Sequence, residues 1–428
     1  MKTKFLMLAA SVAALVSCSS ADNKLAETIA ADTRLAKVDA MARELISTGF
    51  SAGSVYHQVW ARDLNTFINI SCEVYPRQKI RENILVFYAF QQDNGEMVDG
   101  IIKVDQVPYE PIYRSQWAPG YLGHKNTVET DQETSLIQLT YKYVTKTGDR
   151  AILDEEVGGM KVIDRMDKMV DYLMTERFSS KYGLIYGATT IDWGDVQPCT
   201  DNLVRIDEHS KMAVDIYDNA MFIIALKDLE NLVDDSARKA KYASIRKDIA
   251  NNVRKNLWDS ENHKFIPHLY LDGSPFKDDF DENRIYYHGG TAVAIEAGLL
   301  SKAEIKEANE RMLKNAAEAG MATIGLTVYP VYPEGYFHKG YSQPYYYQNG
   351  GDWTWFGGRM IKQLWLNGYR KEAYEEFSPM LDRAIANGGF FEWYGLGNVP
   401  NGSGAYRGTA GVMAEVIALM KAWSEENR

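Results

Sequence analysis

Gly187-Ala188-Thr189-Thr190-Ile191-Asp192-Trp193-Gly194-Asp195 sets two acids three positions apart, with an indole and a glycine between them, on a predicted loop within an otherwise helical region. An aromatic ring beside a carboxyl group suits a sugar site. The ring stacks on a pyranose face and excludes water, and the drier surroundings raise the acid's pKa until it holds a proton near neutral pH. The competing reading is an Asp that caps the next helix and a Trp that plugs the core. Taken alone, Asp192-Trp193-Gly194-Asp195 favours cap and plug, so the rest of the chain decides.

Outward from this loop, helical patterns alternate with aromatic, glycine- and proline-bearing loops almost to the C-terminus. The spacing predicts helices near 25–49, 61–74, 77–93, 127–146, 159–177, 211–232, 235–257, 289–298, 302–318, 352–367, 370–387 and 408–425. Ser210 and Ser301 stand where N-caps belong, and Gly298 and Gly368 where C-terminal glycines belong. Two short β-prone runs, Lys264 to Leu271 and Thr323 to Tyr332, read as hairpins or loop strands. No linker, charge block or low-complexity tract divides the chain, and no fixed-period repeat supports a solenoid. Paired helices without a repeat predict an all-α fold, a closed double ring with short β-hairpins in its loops, formed by residues 25–428 as one domain.

In such a ring alternate loops meet at one end, and the unusual residues lie in loops. Glu392, in Asn387-Gly388-Gly389-Phe390-Phe391-Glu392-Trp393-Tyr394-Gly395, is enclosed by aromatics and glycines. As a structural residue it would pair with an Arg; as a functional one it is an acid in an aromatic cleft. Two carboxyls on facing loops are the minimum for glycoside hydrolysis: one protonates the leaving oxygen, and the other attacks the anomeric carbon or activates water. Asp192 or Asp195 would be its partner, with the remaining Asp capping a segment or binding a sugar hydroxyl. Trp60-Ala61-Arg62-Asp63 reads as a sugar clamp of indole, donor and acceptor, against the alternative of an acid stabilising a helix N-terminus. Arg114-Ser115-Gln116-Trp117 has the same donor-rich character, and Gln348-Asn349-Gly350-Gly351-Asp352-Trp353 opens a helix with amides and indoles. Trp193 and Trp393 complete the candidate sugar-binding residues.

Composition narrows the classes. A net charge of -11 without a Lys/Arg stripe argues against nucleic-acid partners. No Walker loop, dinucleotide fingerprint or Gly-x-Ser-x-Gly follows a strand, and the seven histidines form no metal-ligand pattern, so neither a metal nor another cofactor is expected. The 27 Tyr and 9 Trp suit a carbohydrate-lined cleft as well as a large core. Lys2 and Lys4 precede an apolar run from Phe5 to Val16 that is too short to span a bilayer. Leu15-Val16-Ser17-Cys18 resembles a bacterial lipobox, followed by a polar tether at residues 19–24. The resemblance implies removal of a signal peptide, residues 1–18 up to the lipobox, a lipid on Cys18, and a cell-envelope lipoprotein on the periplasmic or outer face. Cys72 and Cys199 then remain, without a spacing that settles whether they pair.

The motifs, in their order, resemble those of the six-hairpin (α/α)6-barrel glycosidases, in detail the trehalase and processing-α-glucosidase-like branch. Tyr113-Arg114-Ser115-Gln116 is similar to the trehalase Tyr-x-Asn-Arg-Ser-Gln loop without its Asn, and Thr190-Ile191-Asp192 to the loop carrying the trehalase acid. Phe391-Glu392-Trp393 with Gly404-Ala405-Tyr406-Arg407-Gly408 resembles the region of the general base; Tyr347-Gln348-Asn349-Gly350-Gly351 and Trp60-Ala61-Arg62-Asp63 resemble superfamily substrate loops. Asp192-Trp193-Gly194-Asp195 also resembles a rhamnosidase-type Gly-Asp-Trp loop. The resemblance implies an inverting hydrolase acting on non-reducing-end sugars, α-glucosidase-like, with Asp192 favoured as general acid and Glu392 as general base. Arg62, Asp63, Arg114 and Trp353 would hold the terminal sugar. The expected partners are a carbohydrate and a lipid anchor, and the chain is expected to work as a monomer. The alternatives are a non-catalytic glycan-binding lipoprotein, a phosphorylase, an α-rhamnosidase-like enzyme and an unsaturated-uronide hydrolase on the same barrel.

Overall fold

The computed structural model describes residues 22–106, 112–198, 204–338, 340–341 and 343–428. The leader, Cys18 and Cys199 lie outside these residues; Cys72 is a half-buried free thiol. Among the described residues no helix is long and apolar enough to cross a membrane.

The helices are α1 (residues 22–31), α2 (Thr33–Ile46), α3 (Ala61–Val74), α4 (Arg77–Tyr88), α5 (Asp131–Thr147), α6 (Val162–Glu176), α7 (Ile216–Leu232), α8 (Ser236–Asn256), α9 (His288–Glu296), α10 (Lys302–Ala319), α11 (Thr354–Leu366), α12 (Arg370–Asn387) and α13 (Arg407–Glu426). Contacts run α3–α5–α7–α9–α11–α13 and return from α13 to α3, which closes an inner ring of six. The even-numbered helices from α2 to α12 lie outside it, so the fold is the expected toroid of helical hairpins.

Residue chemistry assigns each helix to its ring. α7 buries residues on nearly every face, from Ile216, Tyr217 and Asp218 to Leu229 and Leu232, as a helix walled in by neighbours must. α8 is rich in Lys and Arg and buries only Tyr242, Ile249 and Val253, the narrow stripe of an outer helix. Ring closure needs a small residue: a Cβ on Gly411 of α13 would stand 2.5 Å from Phe67 Cβ and 2.9 Å from the Thr66 carbonyl of α3. Gly411→Val is therefore expected to overpack this crossing and cost about 1–3 kcal/mol, read as a lower denaturant midpoint. An unchanged midpoint would show that the helices separate freely there.

Several boundaries moved for identifiable reasons. The helix expected at 25–49 is broken at Asp32, whose carboxylate accepts the Arg34 N–H and starts α2. Ser301 does cap α10 in a reciprocal capping box with Glu304. Ser210 caps nothing: residues 212–214 pair in a sheet, and Asp215 caps α7 by accepting the Asp218 N–H. Gly298 and Gly368 take left-handed φ values of +77° and +87° just past α9 and α11.

Most of the short strands lie in the loops that precede the inner helices. β1 (Val59–Trp60), β2 (Gly100–Lys103), β3 (Ile112–Tyr113) and β4 (Tyr121–His124) form a sheet in the order β1-β2-β4-β3, pairing Trp60 and His124 with Gly100 and Tyr113 with Gly123. A separate small core of Ile191, Val196, Ile285, Tyr287, Val328, Tyr332 and Phe337 supports the loop that carries both acids.

Candidate active site

Five of the six inner helices are preceded by a segment that reaches one cavity of about 370 Å³. Tyr56, Trp60, Arg62 and Asp63 come from the α3 entry, His124 and Asn126 from the α5 entry, Trp193 and Asp195 from the α7 entry, Tyr347, Gln348 and Trp353 from the α11 entry, and Glu392 and Tyr406 from the α13 entry. Inner helices of one ring run in the same sense, so their N-termini face this cavity. Their unpaired N–H groups and positive dipole ends make it tolerant of carboxylates.

Glu392 is buried, and both its oxygens are held. Tyr56 Oη donates to Oε1 (2.9 Å) and the Ser403 N–H donates to Oε2 (3.0 Å). Burial raises its pKa to about 7; those donors pull it down, and the charges of Asp63 and Asp195 push it up. Gly402 must be small here, since a Cβ would stand 2.6 Å from Glu392 Oε2, and its φ is +68°. The Asp195 side chain is fixed by one amide, with Gln348 Nε2 donating to Asp195 Oδ1 (3.0 Å) while Gln348 Oε1 accepts the Asp195 N–H (3.3 Å).

Asp192 is turned elsewhere. It does not line the cavity; it accepts the Gly290 N–H at Oδ1 (2.8 Å) and so caps α9. A Cβ on Gly289 or Gly290 would stand 2.7 Å from one of its oxygens, so both glycines are needed for the carboxylate to approach. Asp192 has φ +56°, a left-handed turn that sends the chain on so that Trp193 and Asp195 reach the cavity. Burial raises the Asp192 carboxyl to about 8, against the pull of the two glycine N–H groups. Of the two acids of this loop, Asp195 lines the cavity and Asp192, the expected proton donor, caps α9. The cap that the sequence suggested exists, on α9 rather than on the next helix, α7.

The other expected residues divide. Arg62 lines the cavity and donates to Glu129 Oε2 (3.0 Å) and Asp131 Oδ2 (3.2 Å), which sets the charge of the floor. Asp63 is buried beside it. Burial raises its pKa, while Arg62 and a hydrogen bond from Tyr406 lower it. Trp60 lies over Gly100, where a Cβ would stand 2.3 Å from the indole, and meets His124 edge-on at 5.3 Å. Trp193 packs against Trp353, Trp355 and Phe356, and Trp353 Nε1 donates to the Tyr347 carbonyl.

Asn349 does not line the cavity. Its amide spans Tyr332, accepting the N–H and donating to the carbonyl, as a brace for the loop. Trp393 lies behind the wall against Tyr346 and Tyr347. Arg114, Gln116 and Trp117 line a different depression, with Gln92 and Asn94. The clamp role expected of Arg114 thus has no support from its position.

Tyr56, Asp99, His124 and Asn126 were not singled out from the sequence. The signal available was a polar cluster, His124-Lys125-Asn126, directly before a predicted helix, the same arrangement that marks Trp60-Ala61-Arg62-Asp63. Asp99 is raised to about 6 by burial, offset by His124, Arg62 and Lys125.

The chain folds like several solved glycosidases. It superposes on the GH63 mannosylglycerate hydrolase from Thermus thermophilus, in complex with glucose, with a TM-score of 0.62 and 14% identity, over 90% of this chain and 99% of the other. A rhamnosidase from Klebsiella oxytoca with rhamnose bound gives 0.59 and 12%, over 91% of this chain and 64% of the other. The GH78 rhamnosidase of Bacillus sp. GL1 gives 0.60 and 12%, over 90% and 34%. The chain thus spans less than two thirds of each rhamnosidase. No curated protein sequence matches it. The family model for amylo-alpha-1,6-glucosidase matches residues 35–426, nearly all of the ring. With that match spanning most of the chain, the protein belongs to the amylo-alpha-1,6-glucosidase family, and its fold is that of solved glycosidases.

Proposed function

We propose that the protein is an inverting glycosidase that removes α-linked sugars from the non-reducing end of an oligo- or polysaccharide, with Asp195 as general acid and Glu392 as general base. One observation carries this reading: Asp195 and Glu392 line the same small cavity from separate loops, each oriented by its own hydrogen bonds. The volume lies toward the low end of the roughly 300–1,000 Å³ usual for small-ligand sites.

Each residue then has a physical task. Asp195, oriented by Gln348, gives its proton to the glycosidic oxygen as the bond breaks. Glu392, ionised and aimed by Tyr56 and the Ser403 N–H, takes a proton from water attacking the opposite face of the anomeric carbon. Trp60 and Trp193 supply apolar ring surface, and Asp63 and Arg62 supply an acceptor and a donor for hydroxyls. We further propose that Cys18 carries a lipid that anchors the enzyme in the cell envelope. Cys18→Ala expressed in bacteria should shift it from the membrane to the soluble fraction; unchanged membrane association would end that part.

Release of sugar from a panel of aryl α- and β-glycosides of glucose, mannose and rhamnose, and from α-1,4- and α-1,6-linked oligosaccharides, tests the activity. Hydrolysis of an α-glycoside that disappears in Glu392→Gln is expected. A wild-type protein that hydrolyses nothing in the panel, or a Glu392→Gln variant as active as wild type, would refute it.

The pH profile follows from Glu392. A base with a pKa of about 7 is protonated and inactive below it, so kcat/KM should rise with pH through about 7. Tyr56→Phe removes a donor that stabilises the ionised form. The acidic limb should therefore move to higher pH in this variant; a limb that stays or moves down would assign the titration to another group.

A further inference from the structure

The segment Tyr113-Arg114-Ser115-Gln116-Trp117 is missing from the cavity wall, yet it builds a surface of its own. Trp117 is 50% exposed, which is unusual for a Trp in a chain whose other indoles are mostly packed away. A Cβ on Gly158 would meet the indole atoms Cε2, Cζ2 and Cδ2 at 2.5, 2.6 and 2.8 Å. Near-equal distances to three ring atoms place this glycine, at φ +58°, beneath the ring. Arg165 stands 5.8 Å from the ring centroid, its guanidinium fixed by Gln91 Oε1 and the Val157 carbonyl. Ser115 Oγ donates to the Ala89 carbonyl and accepts the Trp117 N–H, which holds the backbone of the segment. The indole is thus braced by Gly158 and Arg165 while half of it stays open to solvent, with little freedom left to lose on binding.

Open depressions flank it. One, of about 660 Å³, is lined by Gln92, Asn94, Arg114 and Gln116; the other, of about 520 Å³, by Tyr121, Glu155 and Pro119 among others. Amides, hydroxyls and the Arg114 guanidinium stand with the carboxylates of Asp93, Glu96, Glu82, Glu155 and Glu156, an acceptor-rich, net negative set that would repel a polyanionic glycan. Such a set matches the donors and acceptors of a neutral polyhydroxyl chain. Tyr113, at the head of the segment, pairs with Gly123 of β4, next to the cavity residue His124.

We infer that the Trp117 surface is a second carbohydrate-binding site, which holds sugar units remote from the scissile bond of a neutral glycan chain by stacking one of them on the open indole face. Only the identity of the glycan rests on the proposed hydrolase reading. Remote contacts of this kind lower the effective KM for polymer without touching the reacting atoms.

The full chain carrying Glu392→Gln, which cannot consume its ligand, is run in native gels cast with glycogen, pullulan or laminarin. Retardation by at least one of them is expected, and adding Trp117→Ala should weaken it by about tenfold or more. In the otherwise wild-type enzyme, Trp117→Ala should leave kcat/KM on a small aryl α-glycoside within about twofold while lowering it on polymer. Equal retardation of both proteins, retardation by none of the three glycans, or an equal loss on the aryl glycoside would overturn the inference. Because retardation is read in an inactive protein, a retarded chain that hydrolyses nothing would refute the proposed function and leave this site standing.

Discussion

Asp195→Asn and Glu392→Gln are each expected to lower turnover by about 10²–10⁴-fold, the usual contribution of a positioned acid or base, with the fold intact. The losses should differ in character. Asp195→Asn cannot protonate the leaving oxygen, so its deficit should shrink on aryl glycosides whose phenolate leaves without help. Glu392→Gln cannot activate water, so its deficit should be similar on activated and natural substrates. Asp192→Asn is the contrast. Its carboxylate sits on the N-terminus of α9, in contact with Gly290 and away from the cavity. Asn keeps an Oδ1 that can accept the Gly290 N–H and caps a helix about as well as Asp, so this variant should lose well under about 1 kcal/mol of stability and remain active. Initial rates of the three variants on one aryl and one natural substrate, each with its unfolding midpoint, decide the matter. If Asp192→Asn were the inactive variant and Asp195→Asn the active one, the assignment of the acid would be wrong.

The second large effect is structural. Asp352, at the start of α11, and Arg383, in α12, form a buried two-pronged pair at 2.8 and 3.0 Å. Thr323 donates to Asp352 through both its hydroxyl (2.7 Å) and its N–H (3.1 Å), and the Arg383 guanidinium lies 3.9 Å from the Tyr394 ring centroid. Asp352 also exchanges two backbone hydrogen bonds with Tyr394 (both 2.9 Å). One pair therefore joins the loop of Gln348 to the loop of Glu392. Arg383→Ala leaves a buried carboxylate without its counter-charge and should cost about 3–5 kcal/mol of unfolding free energy. Adding Asp352→Ala should cost less than the sum of the two single changes, because removing both partners leaves no orphaned charge. Denaturant titration of the two single variants and the double variant gives the coupling. A loss below about 1 kcal/mol in Arg383→Ala would mean that the pair is no more than a surface-type contact.

The architecture was legible because the two rings differ in composition. The all-round apolar pattern of α7 and the narrow stripe of α8 are visible in the chain and correspond to inner and outer positions. The convergence of Trp60-Arg62-Asp63, Trp193-Asp195, Gln348-Trp353 and Glu392 was also legible, since each stands before a helix of the inner ring. What the sequence could not contain was the direction of individual side chains. Asp192 and Asp195 are three residues apart in one loop, and a single left-handed residue, Asp192 itself at φ +56°, sends one to α9 and the other to the cavity. Asn349 and Gln348 are neighbours, yet one braces Tyr332 and the other orients Asp195. Arg114 and Trp117 carried a motif similarity without its location. Ser210 looked like a cap until strand pairing of residues 212–214 moved the start of α7 to Asp215. In each case a long-range contact made the choice.

In the proposed mechanism water attacks from the Glu392 side while Asp195 protonates the other face, and the first-formed anomer reports this directly. Proton NMR recorded within the first minutes of hydrolysis of an α-glycoside, before mutarotation, should show the β-anomer of the released sugar appearing first, with the α-anomer growing in later. First appearance of the α-anomer would require a covalent intermediate or a second displacement, and would contradict the roles given to Asp195 and Glu392.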